Sequence, residues 1–451
     1  MPNDRCTRLR IARGLATAVL AGSWSSREIA TRLGAALRLK RERKWQVALA
    51  NRIVAHFGSA APPPTQFRLV RFIVSDAAFE KCCRVLWCRS RETALDLQDL
   101  PRAPMSPAPA ILGIEKVPPL TTPGELARWL ELEPVELEWL ADCRGRERQR
   151  PAGPLRHYRY VWLRKKSGKA RLLEIPKQRL KAVQRRILDG ILAFVAPHEA
   201  AHAFRAGHST VTCASPHVGQ RVVLRIDLRD FFPSIPAGRV QALFRTIGYP
   251  EPVARLLAAL CTNSTPGDAL EEERENPGGR QSRFAAPHLP QGAPSSPAVA
   301  NLCTYRLDCR LAGLARKIGL NYTRYADDLV FSGGCDFERN LSRFRIFVCA
   351  IVLNEGFSIR RRKTRVMRSG ARQEVAGVIV NRRANVSRDE FDRLKALLFN
   401  CGRSGPAGQN RAGLENFREH LLGRVAYVAM IHPQRGARLH EMFERIDWSE
   451  G

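Results

Sequence analysis

The stretch "NYTRYADDLVFSGG", Asn321 to Gly334, sets Asp327 and Asp328 side by side, after a tyrosine and before an apolar run. Adjacent like charges repel, and a chain normally separates or neutralises them. Two short apolar stretches, "LNYTRY" and "LVFSG", flank the doublet, so it is expected at the tip of a tight β-hairpin. Aspartate is also an ordinary turn residue, and a turn with nothing bound reads the same way.

A second acid stands upstream in "QRVVLRIDLRDFFPSI". On a strand, Leu224, Ile226 and Leu228 point one way, and Arg225, Asp227 and Arg229 the other. Pro233 and Pro236 end that strand. If the two acidic strands share a sheet, three carboxylates converge, an arrangement unstable without cations. Two Mg²⁺ ions about 3.5–4 Å apart would clamp the attacking and leaving oxygens of an in-line phosphoryl displacement. The alternative is that Asp227 only pairs with Arg225 or Arg229. Between the acidic strands lies "LPQGAPSSPAVANL", 289–302. Its small residues let backbone lie close to a flat ligand, and Gln291 can hydrogen-bond a base or sugar. A proline-rich turn ahead of a helix would look identical.

Taken together, these segments resemble the palm and fingers of a reverse transcriptase. "RIDLRDFFPSI" is similar to that family's first acidic motif, "LPQGAPSSP" to its template and nucleotide grip, and "YADD" to its second acidic motif. The resemblance covers roughly residues 120–451. It implies an α+β, right-hand polymerase fold: fingers, a palm with an antiparallel sheet, and a helical thumb. It implies that Asp227 and Asp327 bind both metals, with Asp328 completing the site. Phe232 would exclude a 2′-hydroxyl; the alternative is a core aromatic, since neighbouring Phe231 must be buried too. Arg171, with Lys165 or Lys166 nearby, would contact the incoming triphosphate, and Gln291 and Gly292 the nucleotide. Lys363 would protonate the leaving pyrophosphate. Tyr325 and Arg360, Arg361 and Arg362 would lie against nucleic acid, the arginines on backbone phosphates.

Within the family, the chain resembles retron reverse transcriptases. "VTCASPH" is similar to their Asn-Ala-x-x-His motif, with Cys213 in place of the asparagine and His217 retained. His217 would therefore contact nucleic acid. "EVAGVIVN" is similar to their Val-Thr-Gly segment, with Ala376 in place of threonine. This implies a cognate structured RNA serving as template and primer, its DNA copy, dNTP substrates and a role in phage defence with a separate effector protein. No RNase H-like or endonuclease extension is visible. Another bacterial reverse transcriptase class, or a non-catalytic RNA-binding scaffold on the same fold, stays open.

The totals agree with a polyanionic partner. The 451 residues carry a net charge of +31, a field that attracts nucleic acid. Charge alone does not separate an enzyme from a simple nucleic-acid or anionic-membrane binder. Twelve scattered cysteines contain no Cys-x-x-Cys pair. That pattern suits reduced thiols in a cytoplasmic protein, and the Cys82, Cys83, Cys88 cluster lacks the His pair of a zinc finger. No apolar run approaches the roughly 20 residues that span a bilayer.

The organisation falls into three expected parts. Residues 1–115 form a helical extension with proline-rich joints at 59–66 and 101–110. Residues 116–385 form fingers and palm, and 386–451 a helical thumb. "GLATAVLAGSW" superficially looks like a signal peptide, but a helical pattern continues beyond it, so an amphipathic helix is expected. "SSREIATRL" has a serine cap and Ile29 and Leu33 four apart. Thr122, Pro123 and Glu125 suggest a capping box. "HYRYVWLRKKSGKARLLEIP" should be a hairpin turning at Ser167-Gly168, residues 264–287 a flexible surface loop, and "SSPAVANLCTYRLDCRLAGLARKIG" one long helix.

Overall fold

The computed structural model describes residues 5–20, 25–37, 39, 41–58, 64, 66–89, 116–164, 170–273 and 284–448. Lys165, Lys166, the Ser167-Gly168 turn and the joint at 101–110 lie outside the described residues, as does nearly all of the joint at 59–66. The chain divides into two compact units. One comprises Met1–Ala110, Pro118–Leu137 and Phe244–Leu256; the other comprises Ile111–Val117, Glu138–Leu243 and Leu257–Gly451.

The first unit is helical. Helices α1 (Arg5–Leu20), α2 (Ser26–Ala36), α3 (Lys44–Phe57), α4 (Gln66–Ser75) and α5 (Ala77–Arg89) share one core. Leu15, Ile29, Leu33, Leu49, Ile53, Leu69 and Phe79 are all wholly buried there. Ser25 caps α2 by accepting from the Glu28 N–H, as its sequence implies. The Arg32 guanidinium closes the end of α1, donating to the Ala18 and Val19 carbonyls at 3.0 and 3.1 Å. Helix α6 (Pro123–Leu130) starts on Thr122 with proline in its first turn. Its capping box is shifted: the Glu125 carboxylate accepts from the Thr121 N–H at 2.8 Å, one residue earlier than expected. Helix α7 (Pro134–Ala141) follows.

In the second unit, β1 (Tyr158–Arg164) and β2 (Ala170–Pro176) form the expected antiparallel hairpin. After it come α8 (Gln178–Gly190), α9 (Thr210–Ala214) and β3 (Val222–Asp227); α10 (Ala237–Ile247) and α11 (Glu251–Cys261) follow along the chain, their residues from Phe244 to Leu256 belonging to the first unit. The single long helix expected near 296–317 is two, α12 (Ser296–Cys303) and α13 (Tyr305–Lys317). The buried Thr304 hydroxyl donates back to the Ala300 and Asn301 carbonyls, at 2.8 and 3.0 Å. Such back-bonding competes with the helix ladder. Then follow β4 (Asn321–Tyr325), β5 (Asp328–Gly333), α14 (Cys335–Asn354), β6 (Arg365–Arg368), β7 (Glu374–Val375), β8 (Val378–Ile379) and helices α15 (Arg388–Ser404), α16 (Phe417–Ile431) and α17 (Pro433–Glu444). Of the stretch at 264–287, the described ends are packed rather than loose. Leu270 and Phe284 are buried with Leu172, and the Thr265 N–H donates to the Phe284 carbonyl at 2.8 Å. Residues 274–283 lie outside the described ones.

Four strands make one antiparallel sheet in the order β4-β5-β3-β6. This meets the α+β expectation. Helix α14 covers the face carrying Leu224, Ile226 and Phe331, with the Phe331 and Phe344 rings 5.0 Å apart. The opposite face, expected to be polar, is core over half its length. Val223 and Val330 pack into the same cluster as Leu394, Val425 and Leu439 of α15, α16 and α17. Only its far end carries Arg225, Asp227 and Asp328. Helices α16 and α17 approach so closely that a Cβ at Gly436 would stand 2.2 Å from the Ala429 Cα. Among the described residues, no helix is long and apolar enough to cross a membrane.

Candidate active site

Strand register brings the acids together. Asp227, the last residue of β3, is directly opposite Asp328, the first residue of β5. Opposed residues of an antiparallel pair project to the same face with Cβ atoms about 5 Å apart. Asp327 sits on the turn between β4 and β5, and its carbonyl accepts from the Leu228 N–H at 2.8 Å. The doublet is thus at the hairpin tip, as its flanks imply. Ala326 in that turn takes a φ of 54°, a left-handed backbone rare outside glycine.

Cations surround the three carboxylates. The backbone runs back alongside β3, with the Arg360 N–H donating to the Asp227 carbonyl at 2.8 Å. A short 3₁₀ turn, Arg361–Lys363, then returns the Lys363 ammonium to within 2.7 Å of Asp227 Oδ2. Arg360 Nη1 lies 3.4 Å from Asp227 Oδ1, and Arg225 Nε 3.9 Å from an Asp328 oxygen. The expected alternative pairing of Asp227 with Arg225 or Arg229 is not formed; Arg229 pairs with Asp230 at 3.3 Å.

Burial works against the charge of these carboxylates despite that shell. Burial pushes Asp328 up to about 6, and the neighbouring Asp327 and Asp227 add to this while Arg225 opposes it. Asp327 is raised as well, first by burial and then by Asp227, with Lys363 and Arg171 pulling the other way. Asp227 is 2% exposed, and its Oδ1 has no hydrogen-bond partner, since the Arg360 contact is an ion pair without hydrogen-bond geometry. Among the described residues, no group of three or more His, Cys, Asp or Glu side chains is drawn into a ready metal cage. The residues themselves fit a hard divalent cation: all donors are carboxylate oxygens, one is buried without a hydrogen bond, and two are pushed toward protonation, chiefly by burial.

The "LPQG" turn docks on the β1–β2 hairpin. The Glu174 N–H donates to the Gln291 carbonyl at 2.9 Å, and Gly292, at a φ of 134°, lies against the Glu174 carbonyl. Beneath it is a polar cluster that motif reading misses. The Glu174 carboxylate, wholly buried, accepts from Asn263 and Thr265 at 2.8 Å and pairs with His288 at 2.9 Å. Burial alone would lower His288, but Glu174 outweighs it and raises it. A signal was present, because Glu174 shares strand parity with buried Leu172. Arg171 is exposed on β2, close enough to act on Asp327.

Phe231 is 4% exposed and Phe232 half-buried. Facing Phe232 at 6.5 Å is Phe204, a residue absent from the motif reading, 55% exposed with a φ of 57°. Tyr325 pairs with Asp328 in the ladder and is partly buried against the core shared with α15, α16 and α17.

Two expected nucleic-acid contacts are placed elsewhere. His217 is wholly buried, its ring bracketed by the Ser332 and Thr323 hydroxyls, each at 2.7 Å. Burial pushes it down to about 3, so it is a neutral latch across β4 and β5. Cys213 reaches the same Thr323 hydroxyl at 3.3 Å. Arg360 is turned inward onto Asp227 and Asp230. Arg361 and Arg362 are exposed.

Residues 163–392 match the family described as Reverse transcriptase (RNA-dependent DNA polymerase). The chain is 45% identical over 294 residues to the Retron Mx65 reverse transcriptase of Myxococcus xanthus, covering 64% of this chain and 65% of that protein. It is 36% identical over 327 residues to the Retron Mx162 reverse transcriptase of the same organism, covering 69% and 64%. With the Retron Ec86 reverse transcriptase of Escherichia coli it shares 28% over 299 residues, covering 65% and 82%. The chain therefore spans just under two thirds of the length of the two Myxococcus relatives. The matched span takes in β3, the "LPQG" turn and the acidic hairpin, so the opposed acids are not an isolated coincidence of register: the chain is similar to retron reverse transcriptases and belongs to the reverse transcriptase family.

Proposed function

We propose that this protein is an RNA-directed DNA polymerase, joining a primer 3′-hydroxyl to the α-phosphate of a dNTP and expelling pyrophosphate. The observation that carries the reading is the placement of Asp227 opposite Asp328, with Asp327 beside them on the turn. Asp227, Asp327 and Asp328 would hold Mg²⁺, two ions per site. When bound, such ions neutralise the acids and stabilise the charge that develops on the reacting phosphate. The chain's own residues have distinct tasks. Arg171 draws in the triphosphate. The turn at Gln291 and Gly292 presents backbone to the nucleotide. Lys363, half-exposed and held on Asp227, carries a proton that it can deliver to the leaving pyrophosphate.

The template, by kinship with retron enzymes, is a cognate structured RNA, copied into single-stranded DNA in the cytoplasm. Antiphage defence alongside a separate effector protein is the biological setting we infer. The test is primer extension by the purified chain on an RNA template, with sequencing of the nucleic acid that copurifies. DNA synthesis dependent on dNTPs and Mg²⁺ is expected. A chain that binds RNA but extends no primer under any divalent cation would be a scaffold instead.

Phe232 supports sugar selection, being half-exposed beside the buried Phe231. Phe232→Ala should lower discrimination against ribonucleotides by about 10- to 100-fold while dNTP incorporation persists. Competition between dNTP and rNTP at one template position reads this directly; an unchanged ratio would remove Phe232 from the role.

A further inference from the structure

The residue three ahead of Asp327 is Arg324, and its side chain is wholly inside the protein. So is its partner, Asp308 on α13. The pair is bidentate: Nε donates to Oδ1 at 2.8 Å and Nη2 to Oδ2 at 2.7 Å. The Tyr322 hydroxyl donates to the same Oδ1 at 2.8 Å. The remaining nitrogen, Nη1, donates to Asn301 Oδ1 at 3.0 Å and to the Ala326 carbonyl at 3.2 Å. Asn301 is itself held, its amide donating to the Ala203 carbonyl at 2.8 Å. The Arg324 backbone is fixed as well, its N–H donating to the Ala200 carbonyl at 2.7 Å and its carbonyl accepting from the His202 N–H at 2.9 Å.

Stability is a poor reason for such a pair. Desolvating two charges costs as much as their attraction returns, and apolar residues of similar volume often serve as well or better. What the pair supplies is direction. A guanidinium is a planar fork, so two nitrogens locked on a carboxylate leave the third pointing one way. Here it points at Ala326, whose left-handed backbone is the strained element of the turn.

We propose that Arg324 is the positioning residue of the acidic hairpin: locked by Asp308 and Asn301, it holds the Ala326 carbonyl and so sets where Asp327 and Asp328 stand. Asn301 and Asp308 lie on α12 and α13, which follow the "LPQG" turn. The same network therefore couples the hairpin to the segment carrying Gln291 and Gly292. The inference rests on the polymerase reading above.

The experiment uses the full chain. A triple variant, Arg324→Met with Asp308→Leu and Tyr322→Phe, replaces the charged network by apolar volume. It should fold with a Tm near that of the parent, yet lose about 100-fold in kcat, as expected when acids shift by about an ångström. The dNTP KM should change little, since substrate binding is not what is lost. The rise in Tm on adding Mg²⁺ should also shrink. A folded triple variant with parental kcat and parental Mg²⁺ response overturns the proposal. If the triple variant does not fold, Arg324→Lys decides. Lysine keeps a charge beside Asp308 but cannot reach Asn301 and Ala326 as well, so a kcat loss at constant KM supports positioning, and parental kcat overturns it. A parent chain that makes no DNA overturns the polymerase reading instead. In that case the Mg²⁺-induced Tm shift, kept by the parent and lost in the variant, still tests the hairpin.

Discussion

Asp327→Asn should make DNA at least about 10³-fold more slowly than the parent, because a lost metal site forfeits several kcal/mol of transition-state stabilisation. Asp227→Asn should match it, and chelating the divalent cation from the parent should reproduce both. Asp328→Asn should also lose synthesis, but its effect on the metal-free fold has the opposite sign. Asp328 is raised from 3.8 to about 6 in the folded state, chiefly by burial. Between those two values the folded protein keeps the proton and the unfolded chain has released it. Stability therefore falls as pH rises from about 4 to about 6 and stays lower above that. The charge at Asp328 thus destabilises the metal-free protein at neutral pH, by on the order of 3 kcal/mol. Asp328→Asn removes that charge, so without divalent cation it should raise Tm at pH 7.5 and leave it nearly unchanged at pH 4. Thermal unfolding at the two pH values, in chelator, measures this. A lower Tm at pH 7.5 would mean that the cation shell of Arg225, Lys363 and Arg360 already satisfies the acids, and the argument for a metal there would fail.

Gly292→Ala is expected to have the next largest effect. The φ of 134° belongs to a region that side chains rarely enter, and the new Cβ would stand 2.8 Å from the Glu174 carbonyl oxygen. Backbone strain costs about 1–3 kcal/mol, and overpacking against an atom that cannot move aside adds a similar amount. Glu174 cannot yield, because its buried carboxylate is held by Asn263, Thr265 and His288. The turn must give way instead, carrying Gln291 off the hairpin. We expect a stability loss of about 2–4 kcal/mol together with a raised dNTP KM. Denaturant unfolding and steady-state kinetics on the same preparation check both, and parental values for each would show that the turn does not pack this way.

Much of this site was legible before any coordinates. The Asp327–Asp328 doublet between two apolar runs could be read as a hairpin tip, and Asp227 as the end of an alternating strand. Ser25 and Thr122 announced helix starts because capping is a local bond. What failed shares one cause. His217 read as a nucleic-acid contact because "VTCASPH" resembles the Asn-Ala-x-x-His motif; two hydroxyls from β4 and β5 made it a buried neutral latch. Arg360 read as a phosphate contact within a basic run, but the chain's return along β3 turned it onto Asp227. The half-apolar acid face could not be read either, since Val223 meets Leu394 and Leu439 only after α15 and α17 have closed over the sheet.

By itself, then, the sequence determined the β1–β2 hairpin, the acidic strands and hairpin, where the acids fall on them and which family they resemble. Those features depend on residues a few positions apart, whose spacing along the chain is their spacing in space. Only the tertiary structure decided which cation faces which carboxylate, that Arg324 is clamped between Asp308 and the Ala326 carbonyl, and that Gly292 rests on Glu174. Such pairings depend on the strand order β4-β5-β3-β6 and on helices brought back over it from far along the chain, and no local pattern encodes the order in which strands are laid side by side.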